Sequence, residues 1–338
     1  LAAILMIAAS APLALVTGAP ALSLPDAWAA LWADSDTIAH LAVSQLRVPR
    51  YLLALVAGAA LAVAGALMQD ALQNPLASPD LTGVQGGTSL VVALIAVAGL
   101  PVPRPLVPLA GLCGGLAVAL VVVGVAQRMR SRGAIVLLGV SCATVLQGIV
   151  IAIITLGSPS DVGLFYTYLL GSLANRTGDH LALALPWIAV SVPLALLAAR
   201  RLDALRLGDD VAHGLGIDVA RSRRLVVTLA CLLSAAVVSV CGPIGFIALL
   251  TPHLVRRMAG AARSTTVIGL SALCGAALLV FTDTVCHWLA FPREIAVGAV
   301  TVIIGGPLLL VALRLPRARE VDPGRTEPGR TDEARRGA

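Results

Sequence analysis

The chain alternates long stretches without charged residues and short polar segments. Each stretch is long enough to cross the hydrocarbon core of a bilayer, which takes about 20 apolar residues as a helix. The apolar stretches are 1–25, 51–69, 81–103, 105–127, 133–160, 181–199, 225–255, 264–282 and 295–313. The pattern predicts an all-α, polytopic membrane protein, because helices satisfy their own backbone hydrogen bonds in lipid.

The first stretch, residues 1–25, is compatible with a secretory signal peptide or with a first membrane span. It lacks a basic leading region and is longer than the usual apolar core of a signal peptide. We therefore expect a membrane span.

Composition supports this class. The chain is 58% hydrophobic and 12% charged, with a mean hydropathy of +0.94, which a soluble domain does not need. All 24 basic residues are arginine, so a nucleotide-binding P-loop with its lysine is excluded. We expect no enzyme activity and no cofactor in this chain; if ATP drives the protein, another chain would hold the ATP and Mg²⁺ and hydrolyse the ATP.

The arginines predict the orientation, because cytoplasmic loops carry the positive charge. Placing the arginine clusters inside leaves only 5 of the 24 arginines outside. Residues 225–255 then have a cluster at each end, so the chain must cross and return between them. The sequence CGPIGF (241–246) supplies the break, and a short helix over TPHLVRRM (251–258) would return. This gives about ten spans with both termini in the cytoplasm.

A polar, helix-breaking segment, QNPLASPDLTGVQGGTS (73–89), separates two of the apolar stretches. Irregular backbone at membrane depth is tolerated where it is buried in protein or lines a water-filled cavity. The segment is either an ordinary cytoplasmic turn or part of a pathway. The pathway candidates are Asn74, Pro75, Ser78, Thr82 and Gln85.

The largest internal loop, residues 200–224, contains a short amphipathic segment. Val211, Ala212 and Leu215 share one helical face, and a glycine lies on each side. A helix of this kind suits docking into a groove on a soluble partner, whereas a solvated linker would not need apolar residues in register. The docking candidates are Gly208, Val211, Ala212, Leu215 and Gly216.

Four stretches, in order, resemble the permeases that import iron-siderophores, haem and vitamin B12. They are RVPRYLLALVAGAALAVAGALMQDALQNPLASPDLTGVQGGTS (47–89), LRLGDDVAHGLGIDVARSRR (205–224), GPIGFIALLTPHLVRR (242–257) and EIAVGAVTVIIGGPLLL (294–310). The resemblance implies a ten-span subunit that pairs with itself or with a related chain around one pathway. It also implies two copies of an ATPase on the 200–224 loop, a substrate-binding protein outside, and a place in the cytoplasmic (inner) membrane.

The resemblance further implies that Arg47 and Arg50 receive acidic residues of the binding protein. Without the resemblance, the residues alone favour interfacial anchors, because arginine near the outer end of a span often has that role. At the position of a third docking arginine this chain has His287, and nearby Arg293 is the candidate replacement. Asp283 and His287 lie four residues apart and are expected to form one hydrogen-bonded pair.

The sequence therefore predicts the permease subunit of a binding-protein-dependent ABC importer for an iron chelate, such as a ferric siderophore. Haem or cobalamin is the alternative cargo. An ion-coupled secondary transporter is a rival class, but it would need midplane carboxylates; Asp283 is off-centre, and Asp70 is expected at an inner end open to water. Residues 1–314 would form the transmembrane domain, and residues 315–338 a disordered cytoplasmic tail.

Overall fold

The computed structural model describes residues 1–33, 37–129, 132–157, 168–260 and 262–314, and the regular elements in these ranges are helices. A π-helical turn, Ala42–Arg47, leads into α4, and 3₁₀ turns at Pro79–Thr82 and Arg104–Leu106 precede α5 and α6. The helices are α1 (Ala2–Val16), α2 (Leu24–Ala30), α3 (Ile38–Leu41), α4 (Val48–Leu72), α5 (Val84–Val97), α6 (Val107–Arg128), α7 (Arg132–Thr155), α8 (Gly178–Arg206), α9 (Asp209–Gly214), α10 (Val219–Cys241), α11 (Ile247–Ala259), α12 (Ser264–Ala290) and α13 (Val297–Arg314).

Six helical segments in the described ranges are long and apolar enough to cross a membrane, and three shorter apolar helices accompany them. The long segments contain α4, α6, α7, α8, α10 and α12, and the shorter ones are α1, α5 and most of α13. This confirms the all-helical, polytopic class. The segments containing α4 and α10 are the most buried, so they form the centre of the bundle.

Small residues let the central helices approach closely. A Cβ atom added to Gly58 of α4 would lie 2.3 Å from the carbonyl oxygen of Gly275 in α12. On the same helix, Gly65 faces the backbone of Ala248 in α11. Backbone contact of this kind is how helices associate in lipid, where van der Waals packing replaces the hydrophobic effect.

The predicted break after α10 is confirmed. The helix ends at Cys241, residues 242–246 are not helical, and α11 begins at Ile247, four residues earlier than expected. The irregular stretch is covered by protein: Ile244 is fully buried, and Ser172 N donates to Cys241 O at 2.8 Å. Non-helical backbone at this depth is thus buried in protein, as the membrane requires.

The chain also returns to the side from which it left. Arg223, near the start of α10, donates to the carbonyl oxygen of Ala71 at 2.8 Å. Arg256, near the end of α11, lies 2.8 Å from the carboxylate of Asp70. Both ends of the stretch therefore contact the last turn of α4, as the two arginine clusters predicted.

Candidate functional site

Arg47, at the end of the π-helical turn that leads into α4, is bound within the chain. Its two terminal nitrogens donate to Leu15 O at 2.5 Å and to Pro20 O at 2.6 Å. The residue is 8% exposed. The guanidinium therefore holds the turn after α1 against α4 and presents little surface to a partner.

Arg50, one turn further along, binds two carboxylates of the same chain. Its Nε and Nη2 lie 2.8 and 2.9 Å from Asp283 of α12. Its Nη1 and Nη2 lie 2.9 and 3.1 Å from Glu294, in the connection between α12 and α13. His287 Nδ1 is 3.2 Å from the same Glu294 carboxylate. The expected pairing of Asp283 with His287 was wrong, because each side chain has found a different partner.

Glu294 is ionised at neutral pH. Burial raises the pKa of its carboxyl, but the hydrogen bonds with His287 and Arg50 and the charge of Arg50 outweigh burial and lower the pKa to about 2. A carboxylate whose charged form accepts such hydrogen bonds stays charged. Glu294 is therefore an anionic group beside Arg50.

These side chains surround a cavity of about 180 Å³ at the end of the bundle that carries Arg50. Arg176 also lines the cavity; its Nη1 lies 3.4 Å from His180 Nε2, and it forms no ion pair with a carboxylate among the described residues. Arg293 is exposed beside Glu294. The charged residues that line the cavity are Arg47, Arg50, Arg176, Asp283, His287 and Glu294.

The polar segment 73–89 forms a compact turn after α4. Gln73 adopts a left-handed conformation with φ of 49°, and its side-chain amide donates to Leu205 O. Asn74 Oδ1 accepts from Leu76 N at 3.0 Å, which closes the turn locally. A 3₁₀ turn over Pro79–Thr82 then leads into α5.

The pathway candidates divide by exposure. Ser78 and Thr82 are buried, and the Thr82 hydroxyl donates to Pro79 O at 2.6 Å. Pro75 is exposed, and Leu76, which the sequence reasoning passed over, is 43% exposed. An apolar side chain in a polar turn was the signal that could have identified Leu76.

Gln85 belongs to a polar contact inside the segment. Its side-chain amide donates to Asp80 Oδ1 at 2.6 Å, and Ser78 Oγ donates to Asp80 Oδ2 at 3.0 Å. Asp80 therefore holds the 3₁₀ turn against the first turn of α5. Gly86 and Gly87 bring that helix close to Leu146 and to the Gly114 backbone.

Asp70, expected in water, is buried. Its carboxylate lies 2.8 Å from Arg256 and 3.6 Å from Arg206, with side-chain exposure of 5%. Ser264 Oγ donates to its other oxygen at 3.2 Å. The ends of α4, α8 and α11 and the start of α12 therefore meet at one ion-pair cluster.

The short amphipathic helix predicted in the internal loop is α9. It begins after Gly208 and is followed by Gly216, which have φ of 108° and 76°, a conformation that glycine adopts without a steric cost. Val211 and Leu215 are exposed, at 48% and 62%, whereas Ala212 is fully buried. Ala212 therefore belongs to the small core of the loop and cannot touch a partner, which corrects its placement among the docking residues.

Leu207 is a further exposed apolar residue of the loop and was missed from the sequence. It is 64% exposed and caps the end of α8, and Gly208 separates it from α9. We call Leu207, Val211 and Leu215 the docking stripe. The loop that carries it is anchored, since Arg223 Nη2 lies 2.8 Å from Asp209 at the start of α9.

A bundle of membrane-spanning helices with a charged cavity at one end and an exposed apolar stripe at the other has the architecture of a membrane transport subunit. Residues 4–315 match the FecCD transport family, and the chain belongs to this family. The resemblance noted in the sequence is thereby confirmed, as is the functional class of an ABC-importer permease.

Relatives with different cargoes are similar to the chain. It is 37% identical over 298 residues to the Fe(3+) dicitrate transport system permease protein FecD of Escherichia coli, covering 86% of this chain and 92% of the relative. It is 36% identical over 299 residues to the hemin transport system permease protein HmuU of Yersinia pestis, covering 87% and 88%. It is 34% identical over 281 residues to the cobalamin import system permease protein BtuC of Halobacterium salinarum, covering 82% and 74%.

A solved structure has the same fold. An inward-facing conformation of a metal-chelate type ABC transporter matches 92% of this chain and 97% of its own chain, with a TM-score of 0.80 and 25% sequence identity. The arrangement of helices described above is therefore that of a transporter of this type.

Proposed function

We propose that this chain is the permease subunit of a binding-protein-dependent importer whose cargo is an iron chelate. The family match along residues 4–315 carries the proposal. Ferric-chelate permeases are prominent among its relatives. Haem and cobalamin remain the second candidates, because relatives that carry them are similar at nearly the same identity.

The proposed arrangement in the membrane follows the arginines. We place about ten spans in the cytoplasmic membrane, with both termini inside and the pathway between two permease subunits, either identical or related. The uneven arginine distribution and the return of α11 to the inner end of α4 support this orientation. Residues 315–338 lie outside the described residues and are proposed as a cytoplasmic tail.

The soluble partners are assigned to opposite ends. A substrate-binding protein is proposed at the outer cavity, where Arg50 and exposed Arg293 are the docking candidates. Arg47, also a candidate from the sequence, would first have to leave its two carbonyl partners. Two ATPase subunits, holding ATP and Mg²⁺, are proposed at the docking stripes of the two permeases. Three exposed apolar side chains of this loop support an apolar contact there, because burying apolar surface against a partner is favourable.

Uptake by a reconstituted transporter tests the proposal. The complete transporter in proteoliposomes, given its binding protein and ATP, should accumulate a ⁵⁵Fe-labelled chelate, with labelled haem and cobalamin as competing cargoes. The permease alone should hydrolyse no ATP, because the chain has no lysine to complete a P-loop. ATP hydrolysis by the isolated chain, or no uptake of any of the three cargo classes, would contradict the proposal.

Segment 73–89 is proposed to line the inner part of the pathway, with Asn74, Pro75, Ser78, Thr82 and Gln85 as its candidates and Leu76 added from the structure. In a background whose native cysteines are replaced, Leu76→Cys should react with a water-soluble maleimide. Thr82→Cys should stay unreactive unless the segment rearranges, because Thr82 is buried. Labelling is measured with and without ATP and the ATPase.

The comparison between the two positions is the control. A Leu76→Cys rate that is the same in every nucleotide state would mean that the segment is an ordinary turn and not part of a gated pathway. A Thr82→Cys rate that rises with ATP would show that the buried side of the segment opens during transport.

A further inference from the structure

Carboxylates occupy four of the five N–H groups of the Arg50 guanidinium. Arginine offers these groups in a fixed fork. Nε points to Asp283, Nη2 is shared between Asp283 and Glu294, and Nη1 contacts Glu294 and lies 3.5 Å from His287 Nδ1. A third carboxylate can therefore form a two-bond contact with Arg50 only if one of the present two leaves.

The two carboxylates differ in how easily they can leave. The Asp283 side chain is 7% exposed and lies on a long helix, while the Glu294 side chain is 39% exposed. Removing Asp283 from Arg50 would strand a buried charge, which is strongly unfavourable. Glu294 can turn into water and be hydrated, so it is the exchangeable partner.

The backbone around Glu294 also allows this exchange. Residues 291–295 are exposed and non-helical. The next residues are fixed: Val297 is buried, and Gly298 N donates to Gly171 O at 2.9 Å. The connection 291–296 can therefore shift while the start of α13 stays in place.

We propose that Glu294 is a built-in substitute for the carboxylate of the binding protein. In the resting permease it occupies the outer side of Arg50, and it yields that position when an acidic side chain of the docked protein arrives. The inference rests on the proposed function, since it needs a binding protein that docks at the outer cavity.

The exchange leaves the number of carboxylates bound to Arg50 unchanged. Docking replaces one carboxylate on Arg50 with another, so the contact aligns the two proteins without adding a strong new attraction. A delivery protein must leave after each cycle, and this arrangement favours rapid release. Charge pairs at such rims act mainly on association and specificity.

Glu294→Gln tests the proposal, because it keeps the size of the side chain and removes the competing charge. The complete transporter is placed in lipid nanodiscs, and its affinity for the cargo-free binding protein is measured at low and at physiological salt. We expect roughly three- to tenfold tighter binding, the range of a partly exposed ion pair and its steering effect, with the larger gain at low salt.

Asp179→Asn is the matched control. Asp179 is an exposed carboxylate at the outer end of α8, and it does not contact Arg50. Its removal changes the net charge of the outer face equally but should alter the affinity less than twofold, within the usual effect of an exposed charge. An equal gain in affinity from Asp179→Asn would mean that the Glu294→Gln effect comes from the net charge of this surface. That result would overturn the proposed exchange.

A second set of variants tests whether the gain in affinity for the binding protein depends on Arg50. Arg50→Gln with Asp283→Asn removes the buried pair together, so that no lone charge remains, and Glu294→Gln should then have no effect. A gain that persists there, or wild-type-like or weaker binding by Glu294→Gln alone, overturns the inference and leaves the proposed function intact. No binding to the wild-type transporter overturns both. If the double variant does not fold, the Asp179 comparison decides.

Discussion

Replacing Leu215 with Asp should abolish cargo uptake and release the ATPase from the solubilised transporter. Leu215 is 62% exposed on the docking stripe, and burying such a side chain in a partner is worth roughly 1.5–3 kcal/mol. Aspartate loses that contribution and leaves an unpaired charge in the groove. The loss corresponds to at least tenfold weaker binding, which co-purification of the ATPase and uptake by proteoliposomes would both report.

His213→Asp is the control for this change. His213 is exposed on the same short helix, between Val211 and Leu215 in sequence but off their row. The same charge placed there should leave most of the ATPase bound. Full recovery of the ATPase with Leu215→Asp, together with normal uptake, would mean that the contact lies elsewhere, and the end of α6 near Arg128 would be examined next.

Replacing Arg256 with Gln should destabilise the permease by about 3 kcal/mol, the usual effect of breaking a buried ion pair. The Asp70 carboxylate would keep only Arg206, 3.6 Å away, in place of the contact at 2.8 Å. The change should appear as a lower melting temperature of the purified protein in detergent.

Two further variants make this result specific. Asp70→Asn combined with Arg256→Gln removes both charges and should recover most of the stability. Arg221→Gln breaks an exposed pair with Asp218 and should cost less than about 1 kcal/mol. A single Arg256→Gln variant as stable as the wild type would show that Arg206 alone compensates the buried carboxylate.

Features with local causes were predictable from the sequence. The apolar stretches predicted the membrane class, the Gly-Pro sequence after Cys241 predicted the end of α10, and two flanking glycines predicted the short helix of the internal loop. In each case the residues that determine the element are within a few positions of it. The start of α11 was misplaced because Pro252 was read as the beginning of the helix, whereas the structure contains it inside the helix.

The ion pairs were not predictable, because their partners are far apart in sequence. Arg50 and Asp283 are separated by 233 positions, and no helical period connects them. The i, i+4 spacing of Asp283 and His287 suggested a local pair, but a bidentate guanidinium contact is stronger than a neutral hydrogen bond.

A related error concerns the face of the short helix. Val211 and Ala212 were placed together because adjacent positions in one apolar group fit a broad helical face. The tertiary contacts separate them: Ala212 packs with Leu205 and Val219, and Val211 faces outward. Amphipathic patterns in a six-residue helix do not specify which apolar residue is covered, since the covering elements lie in neighbouring helices.

The last turn of α4 has a mechanical consequence. Asp70 binds Arg256, and Gln73 binds the end of α8. Arg223 donates to Ala71 O and also to Asp209 at the start of α9. From this last turn back to Arg50 the helix is uninterrupted and about 30 Å long at 1.5 Å per residue. One continuous helix thus links the contacts with Arg256, Arg223 and α8 at one end to the Arg50 guanidinium at the other. Because no break interrupts it, a tilt of one end displaces the other.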